Sequence, residues 1–98
     1  MPLYVLRVEL RDSPTRVEYD NLHLVMRAKG FVQTIVDDAG VSLQLPHATY
    51  STMTYSSASD AARAAHAAAT RVWRDLVVLA SGSEWAAMGL TIVRSALL

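Results

Sequence analysis

The order of secondary structure in this chain depends on the stretch Phe31-Val32-Gln33-Thr34-Ile35-Val36-Asp37-Asp38-Ala39-Gly40. Its first six residues are mostly β-branched or aromatic, and such residues favour a strand. Asp37 and Asp38 favour a turn, because aspartate side chains bond nearby backbone N–H groups, and Gly40 tolerates a positive φ. We predict a strand over 31–36 and a turn over 37–40 that sends the chain back.

A strand and a helix are predicted before this stretch. Apolar and charged side chains alternate over 3–10, which is typical of a half-buried strand with its charged side chains on an open face. Thr15 and Glu18 have the spacing of a capping box at the start of a helix. Apolar residues then recur every three or four positions, so we predict a helix over 15–29 that packs on the first strand.

After the turn, the sequence predicts the second half of a small α+β domain. We predict a short neutral stretch over 41–46, a strand over 47–55, an alanine-rich helix over 58–79 and a last strand over 88–93. This order corresponds to a ferredoxin-like β-α-β-β-α-β fold, with an antiparallel four-stranded sheet and two helices on one face. We expect one such domain over 1–98.

Composition narrows the possible functions. Nine basic and nine acidic residues give a formal net charge of zero, which argues against the broad electrostatic contact of a general nucleic-acid coat protein. The chain has no cysteine, so it has neither disulfides nor thiolate sites. No segment approaches the roughly 18 apolar residues of a membrane span. We expect a cytoplasmic protein with no signal peptide, no membrane contact and no cofactor.

A few side chains are candidates for chemistry or binding. His23 and His47 could act in RNA hydrolysis, in which a base activates the 2′-hydroxyl and an acid protonates the leaving oxygen. Tyr50 could stack on an unpaired base. Asp37 and Asp38 offer oxygen ligands to a divalent cation, although their position favours the turn role. Each of these residues also has a purely structural interpretation.

The central part of the chain resembles the GhoS antitoxin family, most sharply between Leu22 and Tyr50. The resemblance is carried by the apolar, turn and aromatic positions Leu22, Met26, Phe31, Ile35, Asp37 or Asp38, Gly40, Gln44, Leu45 and Tyr50. It implies a ferredoxin-like fold related to the Cas2 ribonucleases. It also implies an endoribonuclease that cleaves the single-stranded messenger of a small membrane-active toxin. The chain differs at Asn21 and His23, where a member of the family carries arginines.

From this resemblance, we expect one set of residues to be catalytic and another set to bind RNA. The catalytic residues would be His23, Asp12 and Arg7, and the RNA-binding residues would be Arg11, Arg27, Lys29 and Tyr50. No metal would be needed, because RNA supplies its own nucleophile.

Two alternatives stay open. One is a Cas2-like metal-dependent nuclease in which Asp12 is a metal ligand within a symmetric homodimer. The other is a non-catalytic RNA-binding or protein-interaction module that pairs through its open sheet.

Overall fold

The structure, a computed structural model, describes residues 2–82 and 88–93. It confirms a mixed α+β class with two helices and antiparallel sheets over that part of the chain. In chain order the elements are β1 (Tyr4–Leu10), α1 (Arg16–Ala28), β2 (Thr34–Val36), β3 (Ser42–Gln44), β4 (Thr49–Thr52), α2 (Ala58–Ala69) and β5 (Leu76–Ser81).

The strands form two sheets rather than the single predicted one. β1 lies at the centre of a three-stranded antiparallel sheet with the order β4-β1-β5, and β2 and β3 form a two-stranded hairpin. A single antiparallel bridge between Val32 and Ser51 connects the segment before β2 to β4. The segment before the β2–β3 hairpin therefore lies next to β4 at the edge of the three-stranded sheet, but it does not add a full fourth strand.

The core lies between the three-stranded sheet and both helices. Leu6, Val8 and Leu10 of β1 are buried, as their alternation with charged residues predicts. The helices contribute a set of buried residues to the same cluster: Leu22, Met26, Ala61, Ala65, Ala68 and Ala69. Because alanine side chains are short, α2 can lie close to the sheet.

Local signals correctly predict the helix starts and the turn. The backbone N–H of Thr15 donates to the Glu18 carboxylate at 3.2 Å, which confirms the capping box. In the turn, the Asp37 carboxylate accepts from the backbone N–H groups of Ala39 and Val41, each at 2.9 Å. Gly40 has a φ of 80°. The turn role of Asp37 is thus confirmed.

The second helix and the last strand are predicted wrongly. α2 ends at Ala69 instead of continuing to 79, and residues 76–81 form β5, which pairs with β1. In 88–93 only Ile92 pairs, through a single bridge to Leu43. The apolar run Leu76-Val77-Val78-Leu79 fits a buried helix and a buried strand equally well, so pairing with β1 decides its conformation.

The region after the turn also differs from the prediction. The chain returns into β3, which lies within the stretch 41–46 that the sequence predicts as a short neutral connection, and β4 is confined to four residues. Across residues 2–82 and 88–93, no helix has the length and apolarity needed to cross a membrane. The single-domain prediction over 1–98 also includes residues 1, 83–87 and 94–98, which lie outside the described residues.

Candidate functional site

Four aromatic side chains meet where α1 faces the loop before β4, and we name them the ring cluster: Tyr19, His23, His47 and Tyr50. Tyr19 and His23 are four residues apart on α1 and so lie on one face of the helix. The His47 ring centroid lies 4.5 Å from that of Tyr19 and 5.7 Å from that of His23. The fold thus brings together two histidines that the sequence separates.

The backbone beside His47 is held in an uncommon conformation. Ala48 is fully buried and has a φ of 58°, in the left-handed region that costs an alanine about 1–2 kcal/mol. Its carbonyl accepts from the N–H of Val8 at 3.0 Å, and this contact with the central strand helps hold the turn. The strained backbone at Ala48 therefore fixes the position of His47, just before β4, where its ring lies against the Tyr19 ring of α1.

A hydrogen bond joins His23 to Tyr50. The Tyr50 hydroxyl lies 2.6 Å from His23 Nδ1, and the Tyr50 side chain is fully buried. Burial raises the pKa of Tyr50, with the neighbouring Tyr19 as a second cause. The phenol therefore keeps its proton, and Nδ1 of neutral His23 is the natural acceptor. The ring proton of His23 is then on Nε2.

The ionisation of His23 is shifted by the same surroundings. Burial is the main cause that lowers the pKa of His23 below 6.5, and His47 adds to this effect, whereas Asp20 opposes it. His23 is thus held in its neutral form over a wider pH range than a free histidine. A neutral imidazole with a proton on Nε2 is a hydrogen-bond donor on its outer side.

A polar cavity of about 280 Å³ opens next to His23. Its lining comes from the end of α1, the segment around β2, and β3: His23, Arg27, Phe31, Val32, Gln33, Thr34 and Gln44. Arg27 is exposed and forms no salt bridge with another described residue. A guanidinium without an internal carboxylate partner can bind an anion such as a phosphate.

Arg7 lies at the margin of the ring cluster. Its guanidinium donates a hydrogen bond to the backbone carbonyl of His47. Its charge also opposes the rise in the pKa of Tyr50, which shows that its field reaches that hydroxyl. Of the predicted site residues, His23, Arg7 and Arg27 are therefore brought to one region of the surface, and Tyr50 lies buried beneath it.

Tyr50 requires a correction. The sequence predicts that its ring stacks on an RNA base, but the ring is fully buried beneath α1 and cannot offer a face to a ligand. Its hydroxyl is instead the hydrogen-bond partner of His23. The role of Tyr50 in a reaction would therefore be to orient His23.

Other predicted residues lie elsewhere. Around the end of β1 is a second group, which we name the ion-pair cluster: Arg11, Asp12, Trp73 and Asp75. Arg11 pairs with Asp75 at 3.6 Å, and the Trp73 Nε1–H donates to the Arg11 carbonyl at 2.7 Å. Asp12 lines a different cavity with Trp73, Arg74 and Asp75. The structure thus separates Asp12 and Arg11 from the cavity beside His23.

Lys29 belongs to neither cluster. It follows the last turn of α1, and its backbone carbonyl accepts from the Tyr55 hydroxyl at 2.7 Å. Tyr55 and Lys29 line a third cavity, which lies against α2.

The sequence names His47 as a candidate but gives no sign that it lies beside His23. β4 places Tyr50 against His23, which is 27 positions away in the chain. His47 lies in the loop directly before β4, so its ring also lies beside that of His23. The spacing of residues along the sequence gives no signal that the two histidine rings lie together. Only the pairing of β4 with β1 brings the loop at His47 to α1.

Within residues 2–82 and 88–93, no group of three His, Asp or Glu side chains is placed to hold a metal ion. A scan against models of known protein families and a search of curated proteins both find no match to this chain.

Proposed function

We propose that this protein is a metal-independent endoribonuclease of the GhoS antitoxin kind. It would act in the cytoplasm and cleave the single-stranded messenger of a small membrane-active toxin. The observation that carries the proposal is the pair His23 and His47, whose ring centroids lie 5.7 Å apart. His23 also lines a cavity together with Arg27. Two imidazoles and a cation are sufficient groups for RNA cleavage by internal attack.

The two histidines have different roles in the proposed reaction. His47 is exposed and accepts the proton of the 2′-hydroxyl, whose oxygen then forms a bond to phosphorus. The bond from phosphorus to the 5′ oxygen breaks, and that oxygen takes a proton. His23 donates through Nε2, because Nδ1 is occupied by the Tyr50 hydroxyl. The leaving oxygen takes its proton from Nε2–H of protonated His23, whose Nδ1–H then donates to the Tyr50 oxygen. Because the pKa of His23 is lowered, this form is the minor one above 6.5 and gives up its proton readily.

Arginines supply the charge stabilisation in this proposal. Arg27 lines the cavity beside His23 and would bind the scissile phosphate as negative charge develops on it. Arg7 holds the carbonyl of His47 and adds positive potential at the opposite side of the ring cluster. With a net charge of zero, the protein must rely on such local contacts to bind RNA.

The test is cleavage of a labelled single-stranded RNA with and without EDTA. We expect cleavage that EDTA does not inhibit and that leaves a 2′,3′-cyclic phosphate, because the 2′ oxygen is the nucleophile. A matched DNA strand, which lacks that oxygen, should stay intact. Inhibition by EDTA would favour the Cas2-like metal mechanism instead, and a protein that binds RNA without cutting it would be a binding module.

The proposal includes a ferredoxin-like topology. The order β5-β1-β4 would continue through the Val32–Ser51 bridge into the β2 segment, which would complete the fourth position of that fold. The bridge has two backbone hydrogen bonds, of 2.9 and 2.8 Å. If it belongs to the sheet, the amides of Val32 and Ser51 should exchange as slowly as those of β1. Fast exchange at both amides would argue for two separate sheets.

A further inference from the structure

The third cavity, which Lys29 and Tyr55 line, is a groove against α2 and is distinct from the cavity beside His23. Its volume is about 380 Å³, and its floor is formed by three short side chains, Ala64, Ala67 and Ala68. Lys29, Arg71 and Tyr55 line the rest of it. The groove thus combines an apolar floor, an aromatic ring and two cations, and among the described residues no acidic side chain lines it.

The two cations are available to a ligand. Lys29 and Arg71 are both exposed, and neither forms a salt bridge within the described residues. Arg16 and Arg63 differ in this respect, since Arg16 pairs with Asp20 and Arg63 pairs with Asp60. Two unpaired cations beside an apolar floor are complementary to a nucleotide, which has an anionic phosphate and an apolar base face.

The groove is next to the proposed catalytic cavity. Phe31 lines the catalytic cavity and Tyr55 lines the groove, and their rings are stacked with centroids 5.2 Å apart. One stacked pair of aromatic rings thus connects the linings of the two sites. Arg27 and Lys29 are two residues apart at the end of α1 and therefore point to different sides of the helix. Arg27 thus lines the cavity beside His23, and Lys29 lines the groove.

We propose that this groove is a second RNA subsite, which binds a nucleotide that flanks the scissile phosphate. The RNA strand crosses the end of α1, with one phosphate at Arg27 and a neighbouring phosphate between Lys29 and Arg71. The base of the flanking nucleotide lies on the alanine floor beside Tyr55. This inference rests on the proposed function for its ligand, single-stranded RNA, and extends it to a residue, Arg71, that the sequence does not single out.

The test is binding of a 2′-O-methyl single-stranded oligonucleotide, which cannot be cleaved, to the Lys29→Ala/Arg71→Ala double variant. We expect binding about fivefold to tenfold weaker than that of the unchanged protein at ~0.1 M salt. The slope of log affinity against log salt should fall by about 0.7, because the variant loses the one phosphate contact that Lys29 and Arg71 share on the single strand.

A matched control removes the same amount of charge elsewhere. The Arg16→Ala/Arg63→Ala double variant loses two helix cations that already have carboxylate partners. Its salt slope should stay close to that of the unchanged protein. Equal losses of slope in both double variants, or no loss in the Lys29/Arg71 variant, would overturn the subsite.

This experiment separates failure of the subsite from failure of the nuclease proposal. A protein that shows the expected change in slope but cleaves no RNA retains the subsite and loses the nuclease function. A protein that cleaves RNA with an unchanged slope in the Lys29/Arg71 variant retains the nuclease function and loses the subsite. Because Lys29 and Arg71 are exposed, both variants should fold, which circular dichroism can verify.

Discussion

The ring cluster and the ion-pair cluster each contain residues that the sequence predicts as site residues, but the two clusters differ in burial and in the bonds that hold them. In the ion-pair cluster, Arg11 and Asp75 are more than half exposed, at 56% and 58% of their side-chain area, and neutralise each other. In the ring cluster, a fully buried hydroxyl holds one nitrogen of a half-buried histidine. The second nitrogen of that histidine stays free for a ligand.

This difference shows why a charged sequence motif is a poor guide to a reactive site. Exposed ion pairs are weak and are screened by solvent, so they shift neither the protonation nor the orientation of their members much. Partial burial and a fixed hydrogen bond do both. The physical environment thus favours the ring cluster as the reactive region, although Asp12 and Arg11 looked equally suitable in the sequence.

The largest expected effect is on RNA cleavage. His47→Gln should lower the cleavage rate by about 10²–10⁴-fold, the usual contribution of a general base. Asp12→Asn should change it less than about twofold, since Asp12 lies in the other cluster and asparagine tolerates its φ of 65°. Initial rates on one labelled RNA give the comparison. A large loss in the Asp12 variant would contradict the division between the two clusters.

The next effect concerns the hydrogen bond that orients His23. Tyr50→Phe should lower the free energy of unfolding by about 1–2 kcal/mol, because Nδ1 loses its partner in a partly buried position. Urea denaturation measures this loss, and ¹⁵N NMR should show that His23 no longer keeps one tautomer. Tyr4→Phe is the matched control, since its hydroxyl makes only an exposed bond of 3.2 Å to Ser56. Equal losses in the two variants would argue against a special role for Tyr50.

The stability of the protein should also depend on pH through His23. The folded-state pKa of His23 lies below its usual value of 6.5, so the unfolded chain binds the proton more tightly. Stability is therefore fully present above 6.5 and is lost as the pH falls through the lowered folded pKa. Denaturation at several pH values should show this loss of stability. His23→Gln should remove the part of the pH dependence that comes from His23. His66→Gln, at an exposed position on α2, is the control that should keep the full dependence.

In the ion-pair cluster, the backbone contact should matter more than the charges. Trp73→Phe keeps an aromatic ring but removes the 2.7 Å hydrogen bond to the Arg11 carbonyl. We expect a loss of about 1 kcal/mol in the free energy of unfolding and no effect on RNA cleavage. A fall in cleavage beyond the effect on folding would show that the two clusters are coupled.

The smallest effect should come from the ion pair itself. Arg11→Gln should change the free energy of unfolding by less than about 0.5 kcal/mol, because the pair is exposed and 3.6 Å long. The measurement is again urea denaturation, at low and at high salt. A larger loss that disappears at high salt would mean that the pair contributes more than its exposure indicates.

The parts of the fold that were predictable have signals within a few residues. The Thr15–Glu18 capping box and the Asp37 turn each depend on contacts that span a few positions. The alternation along β1 likewise predicts which of its residues are buried. By contrast, Ser42–Gln44 has no strong strand signal, and it becomes a strand because the hairpin places it against β2.

The candidate site was predictable only in its components. His23, Arg7 and Arg27 could be named from the sequence, and so could His47. Their arrangement could not, because Tyr50 reaches His23 only after β4 has paired with β1. The same pairing buries Tyr50 and changes its predicted role from stacking to orientation.

By itself, the sequence determined the α+β class, the start of each helix and the turn at Asp37, because these depend on short-range hydrogen bonds and on hydrophobic periodicity. Only the tertiary structure decided that Leu76–Ser81 is a strand and that two distant histidines share one surface. An apolar run fits a helix or a strand until a partner strand offers its free N–H and C=O groups. A catalytic pair likewise does not exist until long-range pairing places its members together.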